Sequence, residues 1–389
     1  MNVGWITILI GLAYVCTLFA VAYFGDRHGR RLMTSRFRPA IYALTLGVYC
    51  TSWTFFGSVG LASSSGLDFL PIYIGPVVMI GLFFPLFLRI VRLAKAQNIT
   101  SVADFVASRY GKSDQVAALV AIISVVGVLP YIALQLKAVA SSMAMALQSI
   151  DSGHAVTLTD VPATLSLGIA VLLAGFAMAF GTRHIDATEN QDGLVLAIAM
   201  ESLVKLAAFL AVGVFVTWWM FKGLGELNLL ANATPQIKAV LGKQPDPAMW
   251  ATTTLLAACC IILLPRQFHV TVVENRDEKD VRTAAWLFPL YLIAINIFVV
   301  PLAVAGLLTF EPGTIDRDLT VLALPLEAKN IAIAMFAMIG GLSAATAMVI
   351  VASVALSIMV SNDLVMPIIL RRHARRAIST PEIRQRKFC

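Results

Sequence analysis

Cys50-Thr51-Ser52-Trp53-Thr54-Phe55-Phe56-Gly57-Ser58-Val59-Gly60-Leu61-Ala62-Ser63-Ser64-Ser65-Gly66 is the stretch on which the fold turns. It lies at the end of an apolar run from 39 to 64 that is long enough to cross a bilayer, yet it is crowded with glycine and hydroxyl residues, which weaken a helix. Lipid offers no hydrogen bonds to backbone freed by such weakness, so the stretch must face protein or a watery cavity. It reads as an interrupted membrane helix.

The rest of the chain agrees with a membrane setting. Of 389 residues, 59% are hydrophobic and only 13% charged, and the mean hydropathy is +0.84; soluble domains have roughly 45–50% apolar and about 25% charged residues. That composition excludes a soluble enzyme, a secreted disulfide scaffold and a disordered tail. Apolar runs bounded by charge, Gly or Pro predict nine spans, near 3–24, 39–64, 70–93, 115–147, 163–182, 192–222, 249–268, 284–309 and 328–360. Cys16, Cys50, Cys259, Cys260 and Cys389 show neither CxxC spacing nor a His partner, so disulfides and zinc are not expected.

Charge sets the expected direction. The first run precedes Arg27, Arg30, Arg31, Arg36 and Arg38, which marks a retained helix with its N-terminus outside and not a cleaved signal peptide. With that start, 22 of the 29 Lys and Arg fall in cytoplasmic segments, Arg266 and the basic tail 371–389 among them. Outer loops hold Lys222, Lys238, Lys243, Arg317 and Lys329, while Lys137 and Lys205 remain within helices. The expectation is a multi-pass protein of a bacterial-type inner membrane with a cytoplasmic C-terminus. The net charge of +7 is then a topology and headgroup signal and no argument for nucleic acid.

The ninth run carries Gly340-Gly341-Leu342-Ser343-Ala344-Ala345-Thr346, again small and polar. Small residues suit close helix packing, but a broken helix early and a small-residue helix late also suit a transporter core built of repeats. Glu201 and Lys205, four apart on one helix face, are read as a mutually neutralising pair. Lys137 snorkels or lines an outer vestibule. Asp186, Glu189 and Asp192, and the segment 274–280, read as solvated loop charges, or as a gate or signalling surface.

Cys50 to Gly60 followed by Gly66-Leu67-Asp68-Phe69-Leu70 resembles the solute:sodium symporter family, most closely the symporter-like input half of CbrA-type sensor histidine kinases. Further matching stretches are Ile99-Thr100-Ser101-Val102-Ala103-Asp104-Phe105 before Arg109-Tyr110-Gly111, Tyr131 with Gln135-Leu136, and Gly181-Thr182-Arg183-His184 leading into Gln191-Asp192-Gly193. Pro265-Arg266-Gln267-Phe268-His269, the run from Ala284 to Leu292, and Ser361-Asn362-Asp363-Leu364 extend the likeness over nearly the whole chain.

The resemblance implies an all-α, LeuT-like inverted-repeat bundle: a leading helix and basic loop (1–38), a first five-helix unit (39–222), a partial second unit (223–370) and the basic tail (371–389). The second unit is expected to be incomplete. The kinase part is expected to be absent, since neither a nucleotide box nor a dimerisation histidine is found. The family's ion site maps onto the carbonyls of Gly47 and Cys50 and onto Ala344, Ala347 and Met348, with Ser343 and Thr346 as neighbouring hydroxyls. Ala347 and Met348 stand where hydroxyl residues are usual, and Tyr49 stands where the family has an acid, which leaves sodium, a proton, or no coupling ion at all as alternatives. For the solute the expected contacts are Thr51, Trp53, Thr54, Phe55 and Ser58 at the break, Gln135 on the fourth span, and Gln267 with His269 on the seventh. An aromatic wall with a few amides and hydroxyls suits a small polar solute such as an amino acid. The expected function is transport or sensing of that solute, with no catalysis and no cofactor beyond a coupling ion. A cytoplasmic kinase or response-regulator system is the partner if the chain is a sensor input.

Overall fold

The computed structural model describes residues 3–33, 36–152, 163–181 and 191–370. The basic tail 371–389, Thr182 to His184, Asp186 and Glu189 lie outside the described residues. Every regular element among the described residues is helical, and all nine predicted runs are helices.

The leading helix α1 is Val3–Met33. The second run is broken as expected: α2 (Arg38–Thr45) tightens into a 3-10 turn (Leu46–Tyr49), stops at Cys50 (φ −80, ψ 100), and restarts as a π-turn (Trp53–Gly57) leading into α3 (Ser58–Ser65). The third run is α4 (Pro71–Val77), a π-turn (Val78–Leu82) and α5 (Phe84–Ala96), bent by 75°. Pro76 and Pro85 remove backbone donors on either side of that bend.

A short α6 (Val102–Ser108), capped by the Ser101 hydroxyl on the Asp104 amide, leads to α7 (Asp114–Ser152), and α8 (Ala163–Gly181) follows. The sixth run is α9 (Asp192–Val214), continued by a π-turn (Phe215–Met220). Two short helices, α10 (Leu224–Ala233) and α11 (Pro235–Leu241), connect to α12 (Pro247–Leu263). There the seventh run breaks as well: Leu264 is extended (ψ 129) and α13 (Pro265–Phe268) with its π-turn (His269–Val273) leaves at 53°. The residue before a proline is driven out of the helical region, so Leu264-Pro265 was the signal for a break that the sequence reading treated as a continuous span.

The eighth run is α14 (Glu278–Asn296) and α15 (Val299–Thr309); α16 (Thr320–Glu327) precedes the long α17 (Ile331–Met359), extended by a π-turn (Val360–Val365). Asp277 caps α14 in a reciprocal box with Asp280, and the Lys279 amide bonded to its carboxylate holds Asp277 below its ordinary range. At this end of the bundle Arg38 pairs with Asp280 at 2.6 Å, Arg92 clasps Glu278 through two bonds of 2.6 and 2.8 Å, and Arg276 meets Asp192. The segment 274–280 is thus a strap between helices, not a run of free loop charges.

Among the described residues, five helices are long and apolar enough to cross a membrane, and the two bent pairs raise that to as many as seven. α9 lies at the centre, touching α1, α2 and α17. The small residues of α17 serve packing: a Cβ at Gly340 would come within 2.7 Å of the Phe55 ring, and Gly341 lies against Phe56. Both rings belong to the restarted half of the first broken helix, so the two unusual stretches of sequence are packed on each other.

Candidate functional site

A helix break frees backbone groups that must find partners inside the bundle. At Cys50 and Thr51 the chain supplies them. Lys205, wholly buried on α9, donates to the Gly47 carbonyl at 2.6 Å and to the Cys50 carbonyl at 2.7 Å. Gln135 on α7 accepts from both the amide (3.0 Å) and the hydroxyl (2.7 Å) of Ser52. Thr51 binds the Tyr131 hydroxyl at 2.9 Å, and Ser58 turns back onto the Thr54 carbonyl at 2.6 Å.

These bonds decide what the predicted ion site can do. The donor set does not fit a sodium ion in this structure, because the Lys205 ammonium already holds the Gly47 and Cys50 carbonyls. Ala344 and Ala347 are buried and bring no side-chain oxygen, and Met348 is buried beside them. Thr346 donates to the Glu201 carboxylate and Ser343 to the Glu201 carbonyl (2.8 Å). Glu201 and Lys205 therefore form no direct ion pair, contrary to the pairing expected from their spacing: the acid is held from α17 and the ammonium from the break that follows α2. Four residues along a helix bring two side chains near each other, but the buried Cys50 carbonyl, with the Gly47 carbonyl beside it, draws an ammonium more strongly than a carboxylate that already has a hydroxyl partner.

Beside the break lies a cavity of about 560 Å³. Thr51, Trp53 and Thr54 line it from the first broken helix, Tyr131 from α7, and Cys260, Leu264 and Arg266 from the second. It therefore lies between the two breaks, and on one side its rim is apolar and exposed at Ile123, Leu256 and Leu263. A second, smaller cavity of about 140 Å³ lies on the other side of Trp53, with Gln135, Lys137, Asp316 and Asp318. Trp53 and Tyr131 line both and partition them. Lys137 thus lines a polar recess, one of the two places foreseen for it.

Of the solute residues foreseen, Thr51, Trp53 and Thr54 reach the larger cavity and Gln135 the smaller. Phe55 reaches neither: it is fully buried, edge-on to Phe56 (5.0 Å between centroids) and Phe209 (5.5 Å). Ser58 is spent on its own helix. His269 stands 3.3 Å from the Glu274 carboxylate, away from both cavities. Gln267 is wholly buried, and neither polar atom of its amide has a partner.

The sequence reading missed Arg266, which it took for a cytoplasmic topology cation. It is 5% exposed, its guanidinium lies 4.8 Å over the Tyr131 ring, and its Nε has no hydrogen-bond partner. Its place one residue after Pro265 was the available signal, since a residue next to a break lies at depth and not in a loop. The carbonyl end of α12 offsets part of its charge, by about 0.3–1 kcal/mol and at most about 2. Desolvating an ion costs several kcal/mol.

This is the all-helical, LeuT-like symporter fold, in a multi-pass membrane protein. No protein-family model matches the chain. An uncharacterized symporter of Bacillus subtilis (strain 168), YhjB, is 24% identical over 291 residues, 74% of this chain and 55% of that protein. The chain thus spans about half the length of the curated relative it matches. Among solved structures, a Na+-coupled sialic acid symporter in its substrate-bound outward-open state aligns with a TM-score of 0.64 at 14% identity, covering 93% of this chain and 74% of that one. Both likenesses are to symporters, and neither extends to a sensor kinase.

Proposed function

We propose that this chain carries the solute-binding core of a symporter-like secondary transporter, and that a small polar organic solute, an amino acid in the first instance, binds between the two broken helices. The cavity of about 560 Å³ bounded by Thr51, Trp53 and Arg266 carries this reading. It has the size of small-molecule sites and lies where interrupted helices bring polar groups to membrane depth. The first unit on this reading is 39–222 and the second begins at 223, with the N-terminus outside and the Arg38–Asp280 end cytoplasmic.

Coupling is proposed to run without sodium at the Gly47 and Cys50 carbonyls, because an ammonium fixed to α9 provides there the charge that an ion would bring. A proton gradient, or no gradient, then drives the cycle. The test is solute uptake into proteoliposomes with and without a sodium gradient; uptake that stops when sodium is withdrawn overturns this part. Trp53→Ala is expected to weaken solute binding while expression stays intact, and unchanged affinity would move the pocket elsewhere. Sensing uses the same cavity and differs in one observable: a sensor binds the solute without accumulating it in the vesicle.

A further inference from the structure

Among the described residues that line it, the cavity has one full charge and no counter-charge. Arg266 is buried, carries an unpartnered Nε, and lies on the cavity wall. Its guanidinium meets the face of Tyr131, which leaves the planar edge that bears the N–H donors for another group. No acidic side chain lines this cavity among the described residues, and Arg266 makes no ion pair among them. The remaining walls are largely aliphatic and aromatic: Ile72, Val128, Leu256 and Leu264 beside Trp53. Lys205, the cation bonded to the break itself, is already spent on two carbonyls.

We infer that Arg266 is the anchor for a carboxylate, and that the solute class is a small carboxylate with an apolar body. The inference rests on the cavity being the solute site. The guanidinium fork matches a carboxylate in two parallel bonds, which a point-charge cation cannot reproduce. The apolar walls take the body, and Thr51 with the Tyr131 hydroxyl offers polar contacts at the rim of the break. An amino acid meets this requirement through its carboxylate alone. The cavity brings no acid to its ammonium, so the amino group adds little.

The test uses three probes that share one ring, phenylalanine, hydrocinnamate and phenethylamine, titrated against the purified full chain by calorimetry. Phenylalanine and hydrocinnamate are expected to bind and phenethylamine not. Arg266→Gln should weaken both acids by roughly tenfold or more, and Arg266→Lys by less, since it keeps charge without the fork. Phenethylamine binding as tightly as the acids, an affinity for acids unchanged in Arg266→Gln, or no binding of either acid each overturns the inference. Cys260, on the same wall, separates this from failure of the site itself, with Cys260→Ser as control. If a small neutral thiol reagent labels it and phenethylamine alone protects it, the cavity stands and Arg266 falls. If Cys260 does not react and no probe binds, the cavity reading falls too.

Discussion

The two broken helices solve the same problem in opposite ways. At Cys50–Thr51 the freed backbone is bonded by the protein's own side chains, Lys205 to two carbonyls and Gln135 to an amide. At Leu264–Pro265 the proline takes away one of the freed donors, and polar side-chain groups without partners gather beside the break: the Arg266 Nε and both ends of the Gln267 amide. One break is sealed from within and the other carries unmet hydrogen-bonding capacity. Buried polar groups left without partners are rare in folded proteins and need an explanation. For Arg266 the proposed solute cavity, which touches both breaks, gives one: on that proposal the first break is scaffold and the second supplies recognition, while the Gln267 amide lies outside the cavity.

The largest expected effect probes the seal. Lys205→Met leaves the buried Cys50 carbonyl without a partner, about 1–3 kcal/mol, and also takes away the cation on the same helix face as the buried Glu201, so the combined loss is expected to be the largest of the set. A large drop in thermal midpoint in detergent is expected, checked by scanning calorimetry, with Arg266→Gln costing far less because Arg266 has no acid partner among the described residues. Equal losses in the two variants would erase the contrast between the breaks. Partial recovery of Lys205→Met in sodium but not in choline would sharpen it, by showing that the vacated carbonyls accept a hard cation.

Phe55 and Trp53 stand two residues apart on the same restarted helix and face different surroundings. Phe55→Ala opens a void against Phe209 and Gly340, within about 3–5 kcal/mol and toward the lower end, because lipid and not water is the reference for an apolar ring here. Its solute affinity is expected to hold at temperatures where the protein stays folded. Trp53→Ala should do the reverse. Thermal melts and titrations on both variants check the crossing, and parallel losses in both measurements would mean that the helix responds as one packed unit.

Much of this bundle was legible in the sequence because lipid imposes a simple rule: runs of about 20 apolar residues are helices. All nine runs and the break near Trp53 follow from that rule and from the hydroxyl-rich stretch. The partners at the break were not legible. Spacing put Glu201 beside Lys205, but whether the ammonium turns to an acid on its own helix or to carbonyls on another depends on tertiary contacts that no periodicity encodes. Arg266 was hidden for a different reason. Topology counting assigns every cation near a helix end to a loop, and a proline-induced break creates a helix end at depth.

A middle-sized effect tests the other half of the seal. Gln135→Ala removes the acceptor for the Ser52 amide and hydroxyl, and an unsatisfied buried donor costs about 1–3 kcal/mol. Because Gln135 lines the smaller cavity and not the larger, stability is expected to fall while affinity at the larger site holds. A loss of affinity without a loss of stability would place the solute on the other side of Trp53.

The smallest effect concerns Tyr131, which touches both breaks: its hydroxyl binds Thr51 and its ring lies under Arg266. Tyr131→Phe deletes the hydroxyl alone, a net loss of about 0.5–1.5 kcal/mol. Tyr131→Leu deletes the aromatic face as well and leaves the guanidinium without the ring it lies over. If recognition resides at the second break, Phe at this position preserves carboxylate affinity within a few-fold and Leu does not, since the ring is what holds the guanidinium plane in place. If the Thr51 side of the cavity recognises the solute instead, the two variants lose affinity alike. Titration of hydrocinnamate against both separates the outcomes, and with them the roles of the two breaks.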